Sequence, residues 1–389
     1  MARKYLTLIL LGLALALGLT ACGAPTASGW PGLAANDQLA FVVLNQQLHA
    51  INLADGKEAW AFPIQPDNSI GLLFAEPAVT PEVIVLGSEG PAGSHSGALF
   101  GLDPTTGQER WCLAFDDKGA KRQNCPPAPG PNSTGLFGIP APTDNRLIGG
   151  VAITDGVAFF GLANGLVHAV KVADGAALWT TPFQADNAIW SMPHVDGEAV
   201  YVTSLSHSVY ALDRATGRLK WEKRLGAAMA GGVTAVDGKL YVGTFGSKLY
   251  ALDAATGEEV WSMPTNNWVW STPVVQAGVV YLTDLAGTMF AVEAETGVQK
   301  WAVSPGGRLR ASPAVVGDTL YVGDEQGRLF ALDAASGAQR WAQDVKGQLL
   351  TTPVVVNDLV LVAPYQGDNL LAAYHTAGGA LRWAFAPSK

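Results

Sequence analysis

The sequence predicts an all-β chain folded as an eight-bladed β-propeller of four-stranded antiparallel blades. Three observations lead there. A 13-residue pattern, seen in LYALDAATGEEVW (249–261), recurs eight times and ends on Trp60, Trp111, Trp179, Trp221, Trp261, Trp301, Trp341 and Trp383. A glycine stands four residues before each tryptophan, and five of the seven intervals are 40 to 42 residues long. Each unit breaks into short period-2 runs rich in β-branched and aromatic residues, separated by turn residues. Four-stranded units repeated at this period are best satisfied by radial closure, which protects the sheet edges that an open array would expose.

Residues 1–21 stand outside the repeat. Arg3 and Lys4 precede an apolar run from Tyr5 to Leu19, and the segment ends Leu19-Thr20-Ala21-Cys22. This arrangement resembles a bacterial lipoprotein signal peptide. The resemblance implies that residues 1–21 are removed and that Cys22 is lipidated, a two-chain anchor at a membrane surface. Residues 22–29 then form a short lipidated linker and residues 30–389 the propeller. Gly23, where an aspartate is absent, would permit outer-membrane sorting in a two-membrane bacterium.

Within a unit the elements follow in order. Before Trp301, "WSTPVV" is followed by a turn at 276–278, then "VVYLT", a loop through Gly287, "MFAVE", a turn at 294–297 and "VQKWAV". Asp155-Gly156, Asp196-Gly197 and Asp237-Gly238 are two-residue signals for primed hairpin turns. Asp103, Asp213, Asp253 and Asp333 precede the second turn, where a carboxylate can accept backbone amides two residues on. Other copies carry Asn52, Lys171, Glu293 and His375 there, a set too varied for a catalytic carboxylate. Each tryptophan is expected to dock on the neighbouring blade, because an active site needs one copy and a blade interface needs eight.

Function is expected where the repeat departs from itself. Trp60 to Trp111 spans 51 residues and Trp111 to Trp179 spans 68. The first excess is placed at about 88–97 and the second at about 116–145, loops that a four-stranded meander sends out on one face near blades 2 and 3. In an oxidising compartment Cys112 and Cys125 are expected to form a local disulfide stapling this crown, two thiols or half of a metal site being the alternatives. The residue 31 before the repeat tryptophan is Ile148, Trp190, Ala230, Trp270 and Arg310 in five successive units, and two residues earlier stand Arg146, Ala188, Ala228, Trp268 and Arg308. If that strand face lines the axis, Trp190, Trp268, Trp270, Arg308 and Arg310 form an aromatic and cationic rim suited to a peptide strand, a glycan or an anionic small molecule. The alternative leaves the indoles in the core between blades and the arginines in water.

The repeat L-Y-A-L-D-x-x-T-G-x-x-x-W resembles the pyrroloquinoline-quinone-type propeller repeat of quinoprotein alcohol dehydrogenases and of BamB-like outer-membrane assembly lipoproteins. That resemblance covers about 30–389. It implies the propeller but not an activity, because the family holds enzymes and scaffolds alike. Quinoprotein dehydrogenases carry adjacent cysteines, calcium ligands and a catalytic aspartate. Here there is no Cys-Cys pair, the six histidines do not cluster, and HExxH, GxSxG and phosphate-loop motifs are absent. No enzyme activity, cofactor or metal is therefore expected. The net charge, −9 for the chain and −11 once Arg3 and Lys4 are removed, disfavours nucleic acid. The reading is a monomeric, membrane-anchored extracytoplasmic scaffold, BamB-like, that binds envelope proteins and contacts the membrane through Cys22. Alternatives are a small-molecule or glycan sensor using the rim, and a degenerate quinoprotein dehydrogenase.

Overall fold

The computed structural model describes residues 31–73, 75–90, 97–115 and 144–387. Residues 1–21, Cys22, Cys125 and most of the 116–145 insertion lie outside them. Eight antiparallel sheets, each of four consecutive strands, follow one another along the chain. They are blade 1 (32–62), blade 2 (78–115), blade 3 (152–184), blade 4 (194–224), blade 5 (233–264), blade 6 (274–303), blade 7 (314–344) and blade 8 (354–385). The first strands surround the axis, and that of blade 8, Val354–Val356, lies beside that of blade 1, Gly32–Ala35.

Blade 1 is built wholly from residues 32–62 and blade 8 wholly from 354–385, so the ring closes by packing rather than by a shared strand. Val42, Ile51, Leu361 and Ala373 form part of the closing core. Trp383 Nε1 donates to the Leu53 carbonyl at 2.8 Å, and Asn357 Nδ2 to that of Asp37 at 3.3 Å. Middle strands such as Val279–Thr283 are buried along most of their length because a blade packs on each side. Outer strands such as Glu259–Pro264 are largely exposed.

The repeated residues build the contact between blades. Trp261 of blade 5 covers Gly297 of blade 6, and Trp383 of blade 8 covers Gly56 of blade 1. Gly297 has φ +75°, and a β-carbon there would lie 2.7 Å from the Trp261 ring, so both backbone and space require glycine. Trp261 Nε1 and the Tyr241 hydroxyl, both of blade 5, donate to one carbonyl of blade 6, that of Ala294, each at 3.1 Å. The pairs Trp221/Tyr201 and Trp301/Tyr281 grip Ala254 and Ala334 in the same way. At Trp60 the indole N–H is buried without an acceptor among the described residues.

The turn aspartates act locally. Asp253 Oδ1 accepts from the amides of Ala255 (3.0 Å) and Thr256 (2.8 Å) and from the Thr256 hydroxyl (2.9 Å). Arg340 and then Ser336 hold the Asp333 carboxyl down to about 2, and Arg110 with the Thr106 amide does the same at Asp103.

Four details differ from the sequence reading. First strands are short, so Trp190, Trp268, Trp270, Arg308 and Arg310 lie in the extended segments ahead of them rather than on them. Asp196 pairs within its strand, so that hairpin turns at Gly197–Glu198, while Asp155-Gly156 and Asp237-Gly238 both carry the two positive φ values. Trp179 precedes its blade's outer strand, Phe183–Gln184, because Pro182 interrupts the ladder. The first excess is not confined to 88–97: a 15-residue connection, 63–77, joins blades 1 and 2, against nine residues, 265–273, between blades 5 and 6.

Trp261→Ala should lower stability by about 3 kcal/mol, and Gly297→Ala, which attacks the same contact from the other blade, by about 1–3 kcal/mol. Denaturant melts of the two single variants and the double should show less than additive loss; full additivity would mean that the residues do not act through one contact. Folded-state carboxyls held near 2 stabilise the fold above the ordinary aspartate range, and that contribution disappears as pH falls towards 2. Thermal melts of Asp103→Asn/Asp333→Asn should accordingly lose less stability between pH 4 and pH 2 than the unaltered chain.

Candidate functional site at the axial mouth

The mouth lies on the face where each chain segment arrives at a first strand. Loops between second and third strands meet these segments: the amides of Ala163, Leu205, Phe245, Leu285 and Glu325 donate to the carbonyls of Arg146, Ala188, Ala228, Trp268 and Arg308 at 2.9–3.1 Å. One bond, repeated in five blades, fixes the outer ring of the mouth. The strand ends Ser88 and Phe115 of blade 2, after which the two departures from the repeat begin, lie on this same face.

Blades 6 and 7 reinforce it with two wholly buried carboxylates. Asp284 Oδ2 accepts the amides of Asn266 (2.9 Å) and Asn267 (3.0 Å), while Oδ1 accepts those of Ala286 and Thr288, both at 3.0 Å. Burial pushes its carboxyl up against the pull of these four amides. Asp324 Oδ2 accepts the Gly307 amide at 2.8 Å, and Oδ1 those of Gln326 and Arg328. These bonds end one residue before Trp268 and Arg308, so each aspartate positions a rim residue without touching a ligand.

Four of the five predicted rim residues occupy neighbouring blades 6 and 7, and they meet a residue that sequence reasoning missed. Phe245 of blade 5 stacks on Trp268 (5.1 Å, 18°) and packs against Trp270 (5.1 Å, 34°). Arg310 lies over Trp270 at 4.8 Å, and its Nε donates to Glu325 at 3.2 Å. The order Trp268–Phe245–Trp270–Arg310–Glu325 is thus a continuous ladder, with a cation over an aromatic face. Trp268 is 49% exposed. Arg308 is exposed and has no ion-pair partner among the described residues. Trp190 lines the bore from blade 4, separated from Trp270 by the small Ala230 of blade 5.

The bore below the mouth carries Glu76, also missed. Strand pairing aligns it with Met192, Thr272, Ser312 and Thr352 of other blades, so one carboxylate stands among neutral side chains. Its side chain opens into the bore yet is surrounded by wall atoms, and this desolvation pushes the carboxyl up to about 7. The departure from the repeat could have revealed it, had the extra residues of the 89–96 loop, which lie between it and Trp111, not displaced the alignment.

The remaining candidates are structural in their contacts. His168 is buried against Phe160, and burial lowers it to about 4. Cys112 is buried opposite Phe100, and its expected partner Cys125 is outside the described residues. Among the described residues no three His, Cys, Asp or Glu side chains gather as a metal site.

A ring of eight such blades, closed edge to edge and opening on an aromatic and cationic mouth, defines a propeller of the quinoprotein repeat class. The chain belongs to the family described as outer membrane protein assembly factor BamB, which matches residues 20–125, 141–230, 205–308 and 301–388. Among solved structures, BamB from Moraxella catarrhalis is similar at 19% identity and TM-score 0.63, covering 86% of this chain and 91% of that one. The designed protein Ika8 is similar at 12% identity and TM-score 0.71, covering 90% and 96%. Quinohemoprotein alcohol dehydrogenase from Comamonas testosteroni is similar at 15% identity and TM-score 0.64, covering 86% and 70%. At these identities the likeness is one of fold. Comparison with curated protein sequences found no match.

Asp284→Ala leaves four buried amides without their acceptor and should lower stability by about 2–4 kcal/mol in a denaturant melt. Phe245→Ala should instead leave stability nearly unchanged while shifting tryptophan emission to the red, as Trp268 and Trp270 lose their cover. An unaltered emission spectrum would refute the ladder.

Proposed function

We propose that the protein is a non-enzymatic scaffold, extracytoplasmic and lipid-anchored through Cys22, that binds an envelope protein through the departures from the repeat at blades 2 and 3. One observation carries the reading. The repeated aspartates, glycines and tryptophans are consumed in building the ring, whereas the connection between blades 1 and 2, the strand ends Ser88 and Phe115 at which the other two departures from the repeat begin, and the Trp/Arg ladder share one face. Membership of the BamB family supports an assembly role at an outer membrane.

The bore does not suit a calcium-held quinone. Its described wall offers one carboxylate, Glu76, beside hydroxyls and indoles, rather than several oxygen ligands together. A local Cys112–Cys125 disulfide would staple the base of the larger insertion.

Affinity capture with the lipidated protein, intact and lacking 116–145, tests the reading. A partner should be recovered by the intact protein and lost on deletion at unchanged melting temperature. An identical set of captured proteins would show that this insertion is not the interface.

A further inference from the structure

The described chain begins at Pro31, and Pro31 lines the mouth together with Trp190, Trp270 and Arg310. The polypeptide therefore enters the propeller at the centre of the face that carries the ladder. Nine peptide units separate Cys22 from Pro31. Fully extended they reach about 30 Å. A path from the axis to the opposite face must cross four strands, about 15 Å, and then descend the length of a strand, about 17–20 Å. That path, with the radius of the bore added, exceeds the tether.

The same face presents Ile64, 82% exposed in the connection between blades 1 and 2, and Trp268, 49% exposed on blade 6. These stand on opposite sides of the mouth. Arg308 neighbours Trp268 on blade 7, and Lys248 and Lys346 flank the ladder, without an ion-pair partner among the described residues. Asp344 and Asp368 lie there too, so the face is not uniformly basic. The exposed apolar residues Leu219, Val260 and Leu381 of outer strands, Val298 in the turn before one, and Val316 at the end of a first strand occur singly on separate blades. An exposed indole and an exposed guanidinium at equivalent positions of adjacent blades are the kinds of side chain that settle at a lipid headgroup layer.

We propose that the mouth face docks on a phospholipid bilayer surface, with Trp268 and Ile64 as apolar anchors and Arg308 at the phosphates. The inference rests on the reading of Cys22 as a lipid anchor. It turns the strand ends Ser88 and Phe115 of blade 2 towards the membrane, so that a partner bound there is met at the bilayer rather than in open solution.

The test uses the full lipidated protein in phosphatidylethanolamine/phosphatidylglycerol vesicles, with and without bromine on the acyl chains near the headgroups. Bromine should quench tryptophan emission, Trp268→Phe should remove at least half of that quenching, and Ile64→Asn should weaken it. Equal quenching in the unaltered chain and Trp268→Phe would overturn the proposal, as would no quenching at all. Quenching relieved by an added protein partner at constant lipid would also overturn it, assigning the patch to protein. Anchoring is read separately from the intact mass of the mature chain. A diacylated mass without Trp268-dependent quenching refutes the docking alone, whereas an unlipidated mass refutes the anchor.

Discussion

An indole lying on a left-handed glycine of the next blade is the contact on which the rest of this structure depends. A propeller blade is a twisted sheet with both faces needing cover, and neighbouring blades can supply it only if the outer strands are drawn together. Trp261 does this over Gly297 by filling the space where a side chain would stand, while its N–H and the Tyr241 hydroxyl converge on the Ala294 carbonyl. Shape, backbone conformation and hydrogen bonding are satisfied by one pair of residues. Eight repetitions convert a weak local preference into a rigid ring, and rigidity lets irregular segments on one face hold fixed positions.

The architecture is legible in the sequence because its determinants repeat. Trp, Gly and Asp at constant offsets reveal themselves by comparison within the chain, and the hairpin at Asp237-Gly238 follows from turn chemistry alone. The mouth is only partly legible. Trp268, Trp270, Arg308 and Arg310 stand out against Ala188, Ala228, Ile148 and Ala230 at equivalent positions, where Arg146 and Trp190 are the other exceptions. Phe245 does not, because it replaces Leu205 and Leu285 as one apolar residue among others and gains meaning only when a loop of one blade bends over the next. Asp284 and Asp324 read as loop aspartates, yet they are wholly buried and saturated by amides. Glu76 is hidden by an insertion that shifts its register. In each case the missing information is contact between segments far apart in sequence.

The ladder illustrates how a symmetric scaffold acquires an asymmetric face. The same amide-to-carbonyl bond fixes position 228 of blade 5 and position 268 of blade 6, but the first presents alanine and the second tryptophan. Substitution at such a position alters the surface without disturbing the bond beneath it. Burying Asp284 and Asp324 is costly unless every oxygen is matched, and their saturation shows how firmly blades 6 and 7 are held under the rim.

Closure between blades 8 and 1 uses the same indole-on-glycine contact, Trp383 over Gly56, as the seven internal junctions. Spatial order around the ring is therefore decoupled from the position of the chain ends. New termini opened at any connection on the mouth face, with residue 387 joined to residue 31 through a linker that brings the connection to the length of 265–273, would leave the same eight sheets and the same eight contacts. A circular permutant and the original chain would share one fold, differing only in which blade is synthesised first.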